Sequence, residues 1–326
     1  MLVSRPSTGL IAAVIASASF GTSGVLAKPL LEAGWSPTAA VAARTFTGGL
    51  LLLPLALLAL RGRWSAVWRG RWRILGLGTI GVAGAQLGYF AALRTVPVST
   101  ALLIEFLAPV LLVAVTAVTA RRLPARIVLL GSALAVAGLI LVIGPGALQP
   151  VDPVGLACAF VATIGCAGYF VIAARPGDDL PPVALAACSL LVGAALLGAL
   201  GISGVMSFDA AFTHVPMFGA TVPWWVPLLG IALIATAVAY VAGIAGSALL
   251  GSRLASFVGL LEVVFASLLA WLALDETLTP VQLGGGLLIL GGIAAVRAER
   301  PDAANAPEAL PPGATDAGSP LQLTNG

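Results

Sequence analysis

Three ionisable side chains stand in runs that are otherwise apolar, and their chemistry is that of binding and proton handling. Glu105 lies in LIEFLAPVLL (residues 103–112) and is the only charge between Val96 and Ala120. Arg44 and Glu262 stand in similar surroundings. A guanidinium and a carboxylate can hold the two ends of a zwitterion, or can neutralise each other as a packing pair. Pro109 lacks the N–H that would bond the carbonyl of residue 105. It either frees a backbone acceptor beside the acid or simply kinks the helix. Gln86, Tyr89, Tyr169 and Tyr240 also fall in the middle of apolar runs, as do Thr22, Ser23 and Thr236. Such groups bond a substrate's polar atoms or bond a neighbouring helix.

Catalytic and metal chemistry are poorly provided for. The single histidine, His214, lies in a loop, and there is no H-E-x-x-H. Cys158, Cys166 and Cys188 have no metal-ligand spacing and read as small packing residues. Asp178 and Asp179 are adjacent but in a loop, where hydration accounts for them. GTSG (21–24) and GAQLG (84–88) follow no strand, so they suit close helix packing rather than a phosphate loop. The expectation is no metal, no cofactor and no enzyme.

The elements that position these residues follow from composition. The 326 residues are 60% hydrophobic and 9% charged, with mean hydropathy +1.07, whereas a soluble domain carries about 25% charge. The 39 glycines let membrane helices approach closely. A bilayer crossing takes about 20 apolar residues, and ten runs qualify: 9–27, 37–60, 74–93, 97–119, 125–144, 154–173, 181–202, 223–247, 253–273 and 280–297. The fold class is therefore all-α: a polytopic membrane protein. ASA at 16–18 resembles a signal-peptide cleavage site, but the apolar run continues to Ala27, so the first span is expected to be retained. The loop 203–222, with Phe208, Phe212, Met217 and Phe218, is expected to rest at the membrane interface without chemistry. Residues 301–326, rich in proline, read as a disordered tail.

Cation placement gives orientation. With the N-terminus in the cytoplasm, the inside segments hold Arg5; Arg61, Arg63, Arg69, Arg71, Arg73; Arg121, Arg122, Arg126; Arg175; Arg253; Arg297 and Arg300. The outside segments hold only Lys28 and Arg94. Both termini are thus expected in the cytoplasm, in a multi-pass protein of the cytoplasmic membrane.

The halves repeat. Leu93 and Leu250, Ser99 and Ser256, and Glu105 and Glu262 are each 157 residues apart. GSALAVAG (131–138) matches GGLLILGG (285–292). Five spans per half is odd, so the second half is inverted: two inverted five-helix repeats, 1–147 and 148–300, as in many secondary transporters.

At these residues a family resemblance enters. LLEVVFASLLAWLALDETLTPVQLGGGLLILGG (260–292) resembles the last two helices of EamA-type drug/metabolite transporters, with Val263 for the usual proline and Asp275 for the usual glycine before Glu276. LRTVPVSTALLIEFLAPVLL (93–112) is similar to the threonine/homoserine exporter branch, with Ala108 for its glycine. The resemblance covers about residues 9–297. It implies ten helices, cytoplasmic termini, a central cavity between the halves, alternating access and no cofactor.

Within that frame Glu105 and Arg44 come to similar depth, roughly 10 Å below the outer face at 1.5 Å rise per residue. They are expected to pair or to face the cavity together. In the latter case Arg44 takes a substrate carboxylate and Glu105 its ammonium, with Gln86, Tyr89, Tyr169 and Tyr240 around it. Glu262 has no cation at the matching position, which is Cys188. It is expected either to carry a proton for coupling or to bond a polar neighbour. The function expected is export of small metabolites, amino acids foremost. Drug efflux is the alternative, ahead of a passive channel or a membrane-embedded enzyme. Partners are a small-molecule substrate and the lipid bilayer, with no nucleic acid and with a homo-oligomer left open.

Overall fold

A computed structural model of the chain describes residues 5–144, 146, 152–176, 179–274 and 277–299. Asp178, Asp275, Glu276 and the tail expected to be disordered lie outside the described residues. Ten helices are long and apolar enough to cross a bilayer: Ser7–Glu32, Pro37–Ala59, Arg71–Ala92, Val98–Ala120, Arg126–Ile143, Pro153–Ala174, Pro182–Ile202, Trp225–Leu250, Ser252–Ala273 and Pro280–Arg297. They are spans one to ten below. Each falls on one of the ten apolar runs. The largest shift is in span one, which continues through Lys28 and Pro29 to Glu32.

Several spans start in the same way. A polar residue precedes a proline, and its side chain takes the orphan N–H groups of the first turn. Ser36 accepts from the Ala39 N–H ahead of span two. Asp152 accepts from Val154 and Gly155 ahead of span six. Thr279 and Gln282 cap each other reciprocally at the start of span ten. These caps place the helix starts sharply at the membrane ends.

The spans pack in pairs that the inverted repeat requires. Span one lies against span eight and span three against span six, while two packs on seven and five on ten. Exchanging the halves converts the first pairing into the second and returns the other two to themselves. Spans five and ten cross antiparallel on glycine. A methyl group on Gly138 would come within 2.5 Å of the Gly285 carbonyl oxygen, and one on Gly131 within 2.8 Å of that of Gly292. The backbones touch there, which only glycine permits.

The irregularities repeat as well. Span three carries a π-helical stretch, Leu77–Gly84, and span eight carries one at Leu233–Val238. Span four breaks between Val98–Glu105 and Ala108–Ala120. Span nine breaks between Ser252–Gly259 and Leu261–Ala273. Carbonyls at these breaks, besides their local backbone donors, accept from the opposite repeat. Thr163 of span six donates to the Ile104 carbonyl at 2.7 Å, and Ser17 of span one donates to the Val258 carbonyl at 3.0 Å. Unpaired backbone at membrane depth is costly, so broken helices survive where such donors meet them.

One element departs from the all-helical expectation. Between spans seven and eight, β1 (His214–Met217) pairs antiparallel with β2 (Ala220–Pro223). The turn residues Phe218 and Gly219 both have positive φ, 49° and 78°, as a two-residue hairpin turn demands. The loop is tied down: Trp35 Nε1 donates to the Ala211 carbonyl at 2.7 Å, and Ser36 Oγ to the Ser207 carbonyl at 3.0 Å. Phe212 meets Trp35 and Trp224 edge-on around it, and the two tryptophans lie tilted to each other at 30°. The hairpin marks one face of the bundle. The loop of residues 60–70 marks the other.

Candidate functional site

A cavity of about 460 Å³ lies between the two repeats. Arg44, Gln86, Tyr89, Glu105, Tyr169, Tyr240 and Glu262 all line it. They come from spans two, three, four, six, eight and nine, so the cavity draws on both halves. At the hairpin face its lining reaches Leu31, Pro37 and Ile143. Toward the other face it ends at Ala13, Ser247, Ala255 and Ser256, all buried. Beyond that end, spans one and eight close on each other, and a methyl on Gly9 would meet Leu249 Cβ at 2.8 Å.

Helix breaks set the two acids. Glu105 is the last residue of the first segment of span four. Glu262 lies in the first turn of the second segment of span nine. Both are half-buried, and neither makes a hydrogen bond or ion pair among the described residues, so their carboxylates are free to meet a ligand.

Arg44 is buried and donates from Nη1 to Ser23 Oγ at 3.1 Å. The two arrangements expected for Arg44 and Glu105 are thereby separated. Both face the cavity, and among the described residues they form no ion pair. Arg44 instead interacts electrostatically with Tyr240 and Glu262, while Glu105 interacts with Glu262 and Tyr89. Position 188, which matches Arg44 in the second repeat, is a cysteine, so the cation that influences Glu262 electrostatically is Arg44 of the first repeat, without an ion pair among the described residues.

Three buried polar atoms have no hydrogen-bond partner among the described residues: Arg44 Nε, Tyr169 OH and Ser247 Oγ. All three residues line the cavity. Buried polar atoms are normally paired, so their collection here marks a polar lining. Aromatic rings form the rest. Phe20 meets Tyr240 edge-on at 5.3 Å, Tyr240 meets Tyr169 at 5.6 Å, and Tyr169 meets Phe170 at 5.1 Å. The arrangement offers charge of both signs beside a mainly apolar wall.

Two residues named from sequence lie elsewhere. Thr236 is buried and donates to the Ile231 carbonyl at 3.0 Å, serving the π-helical stretch. Thr22 sits at the break of span one and donates to the Ser19 carbonyl at 2.7 Å. Neither lines the cavity, because each hydroxyl is consumed by its own helix. Conversely Ser17, Ser247, Phe20, Phe106 and Cys166 line it without having been singled out. Small hydroxyls and phenylalanines are common along apolar helices, so nothing in their local pattern distinguished them.

The EamA-like transporter family matches residues 7–144 and 153–298. A protein of Archaeoglobus fulgidus described as an uncharacterized transporter is 26% identical over 285 residues, which is 87% of this chain and 94% of that one. A solved crystal structure superposes with TM-score 0.71 at 22% identity, over 89% of this chain and 96% of its own; it speaks to the fold alone.

Proposed function

Since the chain belongs to the EamA-like transporter family, we propose that this membrane transporter is a secondary carrier that exports small amino acids by alternating access. The observation that supports the reading is the grouping of one guanidinium and two carboxylates in a single cavity between the repeats. Arg44 takes the substrate carboxylate and Glu105 its ammonium. Gln86, Tyr89, Tyr169 and Tyr240 bond or flank the remainder. The arginine-rich face is cytoplasmic, as cation placement favours, and the membrane is the cytoplasmic membrane.

Coupling follows from charge. Glu262 carries the proton. An ammonium arriving at Glu105 adds positive charge beside the larger of the two charged influences on Glu262. The substrate carboxylate on Arg44, the smaller influence, offsets this only in part, so bound substrate and a proton on Glu262 oppose each other. Substrate and proton then displace each other, which is the sign an exporter driven by inward proton flow needs.

The test is reconstitution in liposomes loaded with a mixed pool of labelled amino acids and metabolites, following the loss of each. Saturable loss of a few small amino acids supports the reading; loss without saturation would indicate a channel instead. Efflux of hydrophobic compounds is a second reading, favoured by the aromatic wall of Phe20, Tyr240, Tyr169 and Phe170. Loss of none of the amino acids, with loss of apolar cargo, would select it.

A further inference from the structure

The segment RGRWSAVWRGRWR (61–73) joins spans two and three and takes no part in the cavity. It holds five arginines, three tryptophans and no acid. A short helix, Ser65–Arg69, runs almost unbroken into span three: the Gly70 N–H bonds the Ala66 carbonyl at 2.8 Å, and the Ile74 N–H bonds that of Gly70 at 2.9 Å. Along this path Trp64, Trp68 and Trp72 fall every four residues and share a face. Ala66, Gly70 and Ile74 fall on the opposite face and are buried. The small residues thus pack inward and the largest side chains point out, with Trp68 and Trp72 each 71% exposed.

The arginines are arranged around the indoles. The Arg71 guanidinium lies 4.5 Å from the Trp68 ring centre and 5.5 Å from that of Trp72, and it donates to the Trp68 carbonyl at 2.9 Å. Stacking of this kind holds a cation against an aromatic face while leaving its edge free. Arg73 anchors the segment instead, donating to the carbonyls of Ile172 and Ala173 at the end of span six. Among the described residues the one acid that meets the patch is Asp179, 3.6 Å from Arg69, and both side chains are exposed, so that pair is weak.

An exposed indole stripe next to a span end sits at the depth of lipid headgroups, and guanidinium groups bind phosphate oxygens in pairs. The neighbouring outward surface is apolar, with Leu55, Leu58 and Leu75 exposed, so the stripe continues the lipid-facing belt. We propose that residues 61–72 form a binding surface for anionic phospholipid headgroups, with the indoles seated at the interface and Arg61, Arg63, Arg69 and Arg71 on the phosphates. Charge complementarity and continuity with the apolar belt select lipid as the occupant. The surface is independent of the transport reading.

The experiment uses the full chain in vesicles of phosphatidylcholine mixed with phosphatidylglycerol, where one or the other lipid carries bromine on its acyl chains. Quenching assigned to the loop is the difference between the wild type and W64F/W68F/W72F. Brominated phosphatidylglycerol should quench the loop at least about twofold more than brominated phosphatidylcholine at equal mole fraction. That preference should vanish in R61Q/R63Q/R69Q/R71Q. Equal quenching by the two lipids in the wild type would overturn the proposal, and this comparison needs no arginine variant to fold. A preference that survives in the arginine variant would overturn it too.

Discussion

Glu105 closes one half-helix and Glu262 opens another, and the two carboxylates face the same cavity. They are equivalent in the repeat but not in their fields. Glu105 lies at the negative end of the Val98–Glu105 segment, and Glu262 at the positive end of Leu261–Ala273. The break follows the acid in span four and precedes it in span nine. Arg44, which interacts with Glu262, adds to the difference. Glu105 thus faces the negative end of its own segment, while Glu262 faces the positive end of its segment and the field of Arg44.

Arg44 is the one cation lining the cavity among the described residues. Replacing it with alanine removes a charged hydrogen-bonding partner for a substrate carboxylate. Affinity should fall by about tenfold to a hundredfold. Concentration dependence of uptake or exchange in proteoliposomes reads this directly. Unchanged affinity and transport in Arg44→Ala would remove the guanidinium from the site.

The crossing of spans five and ten should tolerate no side chain at its centre. Gly138→Val places carbon against the Gly285 carbonyl and is expected to destabilise the protein by about 1–3 kcal/mol. Gly284, one residue away on the partner helix, meets nothing within 4 Å, so Gly284→Ala should be near neutral. Thermal unfolding in detergent compares the two. Equal effects would argue against the tight backbone approach.

How much of this was legible depends on the scale of the signal. Ten runs of apolar residues mark ten spans because hydrophobic length is a direct requirement of the bilayer. Glu105, Arg44 and Glu262 stood out because charge inside such runs is rare. Partner choice was not legible. Arg44 and Glu105 come to equal depth by counting, yet Arg44 interacts with Glu262 of the other repeat, and depth alone carries no information about lateral neighbours. The β1–β2 hairpin was hidden for a different reason. Its turn is Phe218-Gly219 rather than the Asn-Gly that usually signals one. Thr236 and Thr22 resembled Ser23 in sequence, and only helix geometry separates a hydroxyl consumed by its own backbone from one facing the cavity.

The helix breaks should depend on donors from the opposite repeat. Thr163→Val removes the bond to the Ile104 carbonyl and Ser17→Ala removes the one to the Val258 carbonyl. Each should cost about 0.5–1.5 kcal/mol, because a carbonyl at the break keeps only its backbone donor and loses its side-chain one. Amide exchange around residues 104–108 and 258–262 should rise in the respective variants. Exchange that rises nowhere near the break would assign its stability to packing alone.

Gly243 bounds the Tyr169 hydroxyl, and a methyl group at 243 collides with it. Gly243→Ala should push that hydroxyl along the cavity wall at little cost, since it is the far end of a movable side chain. The expected result is an altered KM with nearly unchanged thermal stability. A large loss of stability with an unaltered KM would place Tyr169 in the packing rather than in the site.

The proposed coupling of cargo to protons runs through one cavity acid, and Glu262→Gln in proteoliposomes removes its proton exchange while keeping its shape. The wild type should release labelled amino acid faster under an inward proton gradient. Glu262→Gln should retain saturable exchange and lose the acceleration. Acceleration of equal size in Glu262→Gln would contradict the account.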